Sequence, residues 1–329
     1  MVIVMNLLIN ANAKHIPISD SSINCVVTSP PYFGLRDYNI DGQIGLEPTP
    51  DEYVAGLVQV FREVWRVLRD DGTAWLVIGD SYAGNMSRAS NNGRAGYGNP
   101  REGIFYRGGD GLKPKDLIGI PWNVAFALRD DGWYLRQDII WHKPNPMPES
   151  VKDRFTKAHE YIFLLTKSAR YWYDNEAIKE ESVTDPKSKA SMMFGSANGK
   201  NNTSELAHAA DLGHKWDYVA TRNKRSVWTV TTKPYSGAHY ATFPPDLIEP
   251  CILAGCPKGG VVLDPFIGSG TTAMVARKHG RKVIGLDLNF DYLNKNARKR
   301  LQYGSFVPVA DGVEQLTIMR LQSAELKKR

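Results

Sequence analysis

Apolar positions show two different patterns along the chain, and segments with one pattern alternate with segments that have the other. Short apolar runs predict buried strands, and apolar spacings of three and four residues predict amphipathic helices. The predicted strands are residues 1–9, 25–28, 74–79, 135–141, 161–166, 261–263 and 282–286, and the predicted helices are residues 51–69, 115–131, 244–253 and 271–279. Strands that alternate with helices predict an α/β fold with a mainly parallel sheet.

Two Asp-Asp-Gly sequences interrupt the helical pattern. Residues 70–72 follow the first predicted helix, and residues 130–132 follow the second. Glycine is typical of a helix C-terminus because it readily adopts the left-handed conformation found there. We therefore expect each helix to end at its Asp-Asp-Gly sequence, and the strand after the first to begin only at Ala74.

Two long stretches show neither apolar pattern. Residues 84–112 are rich in Gly, Asn and Arg, and residues 170–236 are polar with scattered aromatics. A long stretch of this kind inside a compact domain is usually functional. We expect one domain in two halves, residues 1–169 and 237–305, interrupted by the flexible basic loop 84–112 and the insertion 170–236. A basic C-terminal tail, residues 306–329, follows.

The composition is that of an ordinary globular protein of 329 residues, with 42% apolar and 23% charged residues. No apolar run approaches the roughly 18–20 residues of a membrane span. The net charge of +6 permits nucleic-acid binding without requiring it. The three cysteines lack metal or redox spacing and suit a reducing cytoplasm, and the histidines lack the spacing of metal ligands. We predict a cytoplasmic protein with no membrane partner and no metal site.

Residues 261–287 carry the pattern of a nucleoside-binding unit. A strand leads into Asp-Pro-Phe-Ile-Gly-Ser-Gly-Thr-Thr at residues 264–272, and a helix and a second strand ending at Asp287 follow. The glycines allow a tight turn close to a ligand, and an acid at the position of Asp287 typically accepts ribose hydroxyls. Asp264 would repel a pyrophosphate but suits a cationic group. S-adenosylmethionine has a ribose and cationic groups without phosphate, so we predict it as the cofactor.

Residues 28–32, Thr-Ser-Pro-Pro-Tyr, end the second predicted strand abruptly. Adjacent prolines exclude both a central strand and a helix, so the chain must turn there. A nucleobase amino group is a poor nucleophile because its lone pair is delocalised into the ring. The hydroxyl of Ser29 and the carbonyl of Pro30 can hold the amino hydrogens and free that lone pair, and Tyr32 can stack on an extruded base.

Together the two motifs resemble the amino-group DNA methyltransferases of the β permutation, in which the catalytic motif precedes the cofactor motif. Residues 28–38, 141–150, 159–166 and 243–247 resemble further motifs of that family. The resemblance implies a Rossmann-like, S-adenosylmethionine-dependent methyltransferase fold with a circularly permuted motif order. It implies catalytic roles for Ser29, Pro30, Pro31 and Tyr32. The implied cofactor-binding residues are Asp264, Pro265, Phe266, Gly268, Ser269, Gly270, Thr271 and Asp287.

The first residue of the catalytic motif bears on the substrate. Ser29 resembles the N4-cytosine branch of the family, whereas the N6-adenine branch more usually has Asp. The expected reaction is methylation of the N4 amino group of a flipped-out cytosine in double-stranded DNA, with N6-adenine as the alternative. An RNA or protein-glutamine methyltransferase and a non-catalytic DNA-binding module are less favoured alternatives. A restriction endonuclease partner would be a separate chain, and both monomer and homodimer are open.

Two sets of cations are candidates for DNA contacts. Arginines in a flexible loop can reach phosphates, and the insertion occupies the place where the family carries its target-recognition region. The predicted DNA-binding residues are Arg88, Arg94, Arg101 and Arg107 of the loop, and Arg222, Lys224 and Arg225 of the insertion.

Overall fold

The computed structural model describes residues 6–83, 111–182, 221–232, 243–298 and 305–308. Its strands are β1 (Asn6–Asn10), β2 (Ile23–Thr28), β3 (Leu68–Ile78), β4 (Tyr134–His142), β5 (His159–Thr166), β6 (Glu180–Glu181), β7 (Thr221–Arg222), β8 (Val227–Thr229), β9 (Val261–Asp264), β10 (Lys282–Asp287) and β11 (Ser305–Pro308). Its longer helices are α1 (Pro50–Val67), α2 (Ile120–Asp130), α3 (Pro245–Gly255) and α4 (Thr271–Lys278).

Nine of these strands form one sheet in the order β11-β1-β10-β9-β2-β3-β5-β4-β8. Neighbouring strands are parallel except that β5 runs opposite to β3 and β4. Such a sheet is covered on both faces, and here α1 and α2 pack together as one pair and α3 and α4 as another. The predicted α/β fold with a mainly parallel sheet is confirmed.

Strand β3 shows how the two faces of the sheet are filled. Ala74 and Leu76 belong to the apolar cluster that contains the buried side chains of α1 and α2. Thr73 and Trp75 point the other way, toward Gly255 at the end of α3. Alternate residues of a strand face opposite sides, so one short apolar run supplies both layers of the core.

The connections that leave β9 and β2 lead to opposite sides of the sheet. From β9 the chain passes through α4 to β10 on one side, and from β2 it passes through α1 to β3 on the other. The two connections leave a crevice at the carboxyl ends of β9 and β2. Ligands of open α/β sheets bind at such a point.

Local signals explain where α1 begins. The hydroxyl of Thr49 accepts a hydrogen bond from the Glu52 amide at 3.1 Å, and Pro50 occupies the first turn. Both features are favoured at a helix N-terminus, where backbone amides lack partners inside the helix. Most of the apolar side chains predicted to face the core are buried, namely Tyr53, Leu57, Val60, Phe61 and Val64.

The predicted end of α1 was wrong. The helix stops at Val67, and β3 starts at Leu68 and continues through residues 70–72. Gly72 does not end a helix: a Cβ there would lie 2.6 Å from Cδ1 of Leu68 and 3.0 Å from the carbonyl oxygen of Asn24. The glycine therefore serves close packing between β3 and β2.

The second helix keeps its predicted end but starts later than residue 115. Gly119 has a left-handed φ of 80° and stands immediately before Ile120, the first residue of α2. At the other end Gly132 has a φ of 110°, beyond Asp130 and Asp131. This Asp-Asp-Gly sequence does end a helix.

The polypeptide divides into two compact units. The larger comprises Met1–Asp174 and Ser226–Arg329, and the smaller is Asn175–Arg225. In the smaller unit β6 and β7 pair in antiparallel fashion. Most of the loop 84–112, much of the insertion 170–236 and the tail beyond residue 308 lie outside the described residues, so the domain boundaries stay a prediction.

The described core also contains the three cysteines, all buried as free thiols. Burial raises the pKa of Cys256 to about 12 and that of Cys25 well above its ordinary value. No helix in the described ranges combines the length and the apolar character needed to cross a membrane.

Replacement of Gly255 by alanine tests the packing of α3 on the sheet. A Cβ at this position would lie 2.4 Å from Oγ1 of Thr73 and 2.5 Å from Nε1 of Trp75. Overpacking of this kind costs about 1–3 kcal/mol, and we expect Gly255→Ala to lower the free energy of unfolding by that amount in urea titrations.

Gly56→Ala is the matched control, because a Cβ at this buried α1 position would make contacts no shorter than 3.5 Å. This variant should be as stable as the wild type or gain up to about 1 kcal/mol. Equal stability of Gly255→Ala and the wild type would show that α3 does not pack this tightly.

Candidate active site

A cavity of about 560 Å³ lies at the carboxyl ends of β2, β9 and β10. This volume is typical of a small-molecule site. Motifs from opposite ends of the sequence therefore meet in one cavity. Of the predicted site residues, the cavity is lined by Ser29, Pro30, Pro31, Tyr32, Asp264, Pro265, Phe266, Gly268, Ser269, Thr271 and Asp287.

The carboxylate of Asp264 joins the two motifs. One oxygen accepts hydrogen bonds from the hydroxyl of Thr28 at 2.8 Å and the amide of Phe266 at 3.1 Å, and the other accepts from the hydroxyl of Thr272 at 2.6 Å. Burial raises the pKa of Asp264 to about 6, although these hydrogen bonds favour the charged form. Asp264 thus ties β9 to β2 and to the first turn of α4. Its predicted contact with a cationic group stays a prediction.

Asp287, the last residue of β10, is hydrogen-bonded to the turn that follows β9. Its two carboxylate oxygens accept hydrogen bonds from the amide of Gly268 at 3.0 Å and the amide of Asn289 at 2.8 Å. Burial raises the pKa of Asp287 to about 6, and the nearby charge of Asp264 contributes in the same direction. The carboxylate therefore faces the cavity from a fixed position.

Gly270, a predicted cofactor-binding residue, does not line the cavity. It stands at the N-terminus of α4 with a left-handed φ of 81°, and a Cβ there would lie 3.3 Å from Cα of Ala297. This glycine allows close packing of the turn. Gly268, with a φ of 47°, is the glycine that borders the cavity.

The Ser-Pro-Pro-Tyr turn forms the opposite wall. The hydroxyl of Tyr53 donates to the carbonyl of Pro31 at 2.8 Å, and the hydroxyl of Tyr32 donates to Oε2 of Glu160 at 2.8 Å. Burial and the charge of Glu160 raise the pKa of Tyr32 well above its ordinary value. Tyr32 is therefore a neutral hydroxyl whose ring is held at the cavity wall.

Sequence reasoning missed several residues of the cavity. Lys143 and Glu160 both line it and form an ion pair, and each side chain is 17% exposed. Both lie in segments that carry the family resemblance, but no spacing in the sequence marks them as partners. Tyr38 and Tyr292 also line the cavity and meet edge to face, with ring centroids 6.4 Å apart.

The predicted DNA contacts remain predictions. Arg88, Arg94, Arg101 and Arg107 lie outside the described residues. Within the smaller unit, Arg222 and Arg225 each bond the same oxygen of Glu180, at 3.0 and 3.1 Å, and Lys224 is half-buried. Among the described residues no group of three His, Cys, Asp or Glu side chains forms a potential metal site.

The chemistry of the cavity fits S-adenosylmethionine. The segment 264–292 contributes two carboxylates, the backbone of Gly268 and aromatic rings, and none of its Lys or Arg residues lines the cavity. A phosphate would meet negative charge here. A ribose meets acceptors, and a cationic group meets carboxylates.

This fold and cavity define the class of S-adenosylmethionine-dependent methyltransferases, and comparisons with known proteins give the family. The model of the N6/N4 DNA methylase family matches residues 23–298, so the chain belongs to that family. It is 48% identical over 276 residues to the type II methyltransferase M.Cfr9I of Citrobacter freundii, covering 83% of this chain and 79% of that protein. It is also 48% identical over 280 residues to the type II methyltransferase M.SmaI of Serratia marcescens, covering 83% and 82%.

Solved structures show the same fold. The PvuII DNA methyltransferase (cytosine-N4-specific) superposes with a TM-score of 0.59 at 16% identity, covering 99% of this chain and 94% of that one. A protein of Thermus thermophilus, assigned as a DNA modification methylase and solved with S-adenosyl-L-methionine, superposes with a TM-score of 0.56 at 22% identity, covering 93% and 100%.

Replacement of Asp287 tests the cofactor side of the cavity. We expect Asp287→Ala to weaken binding of S-adenosylmethionine by about 1.5–3 kcal/mol, the range for hydrogen bonds to a charged acceptor. Isothermal titration calorimetry of the folded variant measures this loss. Asp291→Ala is the matched control, since Asp291 is exposed and pairs with Lys295.

The raised pKa of Asp287 adds a pH dependence. Below about pH 6 the carboxyl group is largely protonated in the free protein, and a ribose hydroxyl then loses its charged acceptor. The affinity of the wild type should therefore rise from pH 5 to pH 7. A pH-independent affinity, or an Asp287→Ala affinity within a few tenths of a kcal/mol of the wild type, would contradict the ribose role.

Proposed function

We propose that this DNA methyltransferase transfers the methyl group of S-adenosylmethionine to the exocyclic N4 amino group of a cytosine that is extruded from double-stranded DNA. The observation that carries the proposal is the shared cavity. The Ser-Pro-Pro-Tyr turn forms one wall, and the unit from Asp264 to Asp287 forms the other. A base held by the first wall presents its amino group to the second.

The chain holds both partners of the transfer in one orientation. When bound, S-adenosylmethionine supplies an electrophilic methyl group on a positively charged sulfur. Ser29 and the carbonyl of Pro30 accept the two amino hydrogens, which draws the nitrogen lone pair out of conjugation. Tyr32 stacks on the base, and Asp264 fixes the separation of the two walls through Thr28. Placing the reacting groups in this way lowers the barrier without an enzyme–base covalent bond.

The preference for cytosine rests on the neutral first residue of the turn. Ser29 accepts a hydrogen bond without adding negative charge, and the family branch that it resembles acts on N4 of cytosine. The solved PvuII enzyme is cytosine-N4-specific, but at 16% identity it supports the fold alone. N6 of adenine is the alternative within the same family.

The relatives also support a biological setting. M.Cfr9I and M.SmaI are type II methyltransferases, and we propose that the chain likewise modifies one DNA sequence. A cognate restriction endonuclease would be a separate chain. The cytoplasmic location, the seven DNA-binding cations and the choice between monomer and homodimer stay predictions.

Nucleoside mass spectrometry and base-resolved sequencing of DNA from cells that express the chain test the proposal. The expected product is N4-methylcytosine at one recurrent sequence, absent from cells that express Tyr32→Ala. Methylation at N6 of adenine would overturn the choice of base, and unmodified DNA from cells with folded protein would overturn the proposal as a whole.

Variants of the turn test its catalytic role. Tyr32→Ala should largely abolish methyl transfer while cofactor affinity stays near normal. The lost stacking is worth about 1–3 kcal/mol per base, and misplacement of the amino group adds to it. Tyr32→Phe should be milder because the ring remains, and Ser29→Ala should slow the transfer step itself.

Single-turnover kinetics with preformed DNA and cofactor complexes measure these effects. Tyr134→Ala is the matched control, because Tyr134 lies at the start of β4, is 46% exposed and does not line the cavity. If Ser29→Ala and Tyr32→Ala both transfer at the wild-type rate, the turn has no catalytic role.

A further inference from the structure

We propose that Glu160 is a positioning residue for methyl transfer: acting through Tyr32 and Ser29, it orients a chain of hydroxyl groups and receives the proton that the methylated amino group must lose. The proposal rests on the proposed function and adds to it the destination of this proton.

The chain of hydroxyl groups begins at the cavity wall and ends at Glu160. Tyr32 donates its hydroxyl hydrogen to Oε2 of Glu160 at 2.8 Å, and the side chain of Ser29 acts on the same hydroxyl, where it lowers the pKa of Tyr32 against the larger effect of burial. The other oxygen of Glu160 accepts from the ammonium of Lys143. That ammonium lies 4.2 Å from the ring centroid of Trp141. Both oxygens of the carboxylate are thus held in place.

The carboxylate of Glu160 fixes the direction in which the hydroxyl groups of Tyr32 and Ser29 donate their hydrogens. An ionised carboxylate only accepts hydrogen bonds, and a hydroxyl has one hydrogen to donate. Since Tyr32 gives its hydrogen to Glu160, its oxygen is left as an acceptor for the hydrogen of Ser29. Ser29 then presents only lone pairs to a ligand. That arrangement matches an amino group, which brings hydrogens to the contact.

Gly79 shows that the pair of side chains is built into the fold. A Cβ at this position would lie 2.6 Å from Cε2 of Tyr32 and 3.2 Å from Cδ of Glu160. The bare backbone after β3 leaves room for the ring and the carboxylate together. Their contact is therefore a consequence of close packing and not of two mobile side chains.

Asp80, next along the chain, has a different task. One of its oxygens accepts hydrogen bonds from the amides of Ser81, Gly119 and Ile120 at 2.9 to 3.0 Å, which anchors the start of α2. Asp80 does not line the cavity. Glu160 is the carboxylate to which the hydroxyl of Tyr32 is bonded.

The reaction releases a proton, and the chain of hydroxyl groups gives it a path to Glu160. As the nitrogen–carbon bond forms, the sulfur–carbon bond breaks and its electron pair stays on sulfur. The amino nitrogen then carries a methyl group, two hydrogens and a positive charge. It passes one proton to Ser29 as Ser29 passes its own to Tyr32 and Tyr32 passes its own to Glu160. The carboxylate becomes a carboxylic acid, which releases the proton to solvent and restores the chain.

Three variants test the chain in single-turnover methyl transfer at saturating cofactor and DNA. Glu160→Gln keeps the shape but can donate to Tyr32, and Tyr32→Phe removes the central hydroxyl. We expect each to slow transfer by roughly 100-fold, the lower end of general acid–base effects. Because both act on one chain, the double variant should be no slower than the worse single variant. Affinities for cofactor and DNA should not change.

A spectroscopic measurement on the cofactor-free protein gives a second readout. In protein labelled with ¹³C at tyrosine Cζ, the Tyr32 resonance is assigned by its loss in Tyr32→Phe. It should shift in Glu160→Gln, which changes its hydrogen-bond partner. It should stay in place in Glu249→Gln, the matched control, since Glu249 also pairs with a lysine, Lys278, but lies on α3 away from the cavity.

Gly79→Ala supplies an independent variant if Glu160→Gln fails to fold. It should shift the same resonance and slow transfer with cofactor affinity retained. Wild-type transfer rates in Glu160→Gln, an unmoved resonance, or losses that multiply in the double variant would each overturn the proposal. The rates are measured on whichever base the wild type methylates. Methylation of adenine would therefore contradict the proposed function, and the same variants would still test the chain of hydroxyl groups.

Discussion

The buried carboxylate of Asp264 holds the end of β2 to the end of β9, and the relative position of the two motifs that line the cavity depends on this link. A carboxylate that is 1% exposed must find hydrogen-bond donors inside the protein. Thr28, Thr272 and the amide of Phe266 supply them. Loss of one such partner costs about 1–3 kcal/mol, so the link is worth a sizeable part of the stability of a typical domain.

The link also sets the distance between the Ser-Pro-Pro-Tyr turn and the turn that follows β9. Ser29 directly follows Thr28, and Gly268 follows Asp264 within the same tight turn. The connections that leave β9 and β2 for opposite sides of the sheet open the crevice, and the hydrogen bond between Thr28 and Asp264 holds its two sides together. The Ser-Pro-Pro-Tyr turn and the turn after β9 are thereby held at a fixed separation. A methyl transfer between two bound molecules needs such fixed placement.

Much of this arrangement could be predicted from the sequence. Apolar periodicity predicted the four longer helices and the strands of the sheet other than β8 and β11. The motifs at residues 28–32 and 264–272 predicted one turn for the base and one for the cofactor. The pattern failed at residues 70–72, which look like a helix end but lie inside β3. The glycine there is explained by packing, since Leu68 and the backbone of Asn24 leave no space for a Cβ.

The contact between Lys143 and Glu160 was beyond the reach of sequence reasoning for a different reason. Glu160 lies opposite Trp141 in the antiparallel register of β5 and β4, which brings Lys143, two residues further on, within reach of its carboxylate. That register depends on how the strands pair, and local spacing carries no sign of it. Asp264 was likewise recognised as important, while its role as a link between the halves required the fold.

A crystal structure of the protein with its target DNA and a non-transferring analogue of S-adenosylmethionine would show whether the two walls of the cavity hold a base and the cofactor. We expect an extruded cytosine stacked on Tyr32, with its amino nitrogen about 2.7–3.2 Å from the hydroxyl oxygen of Ser29 and facing the Asp264 turn. A target base that stays in the duplex, or that binds with its amino group turned away from Ser29, would contradict this expectation.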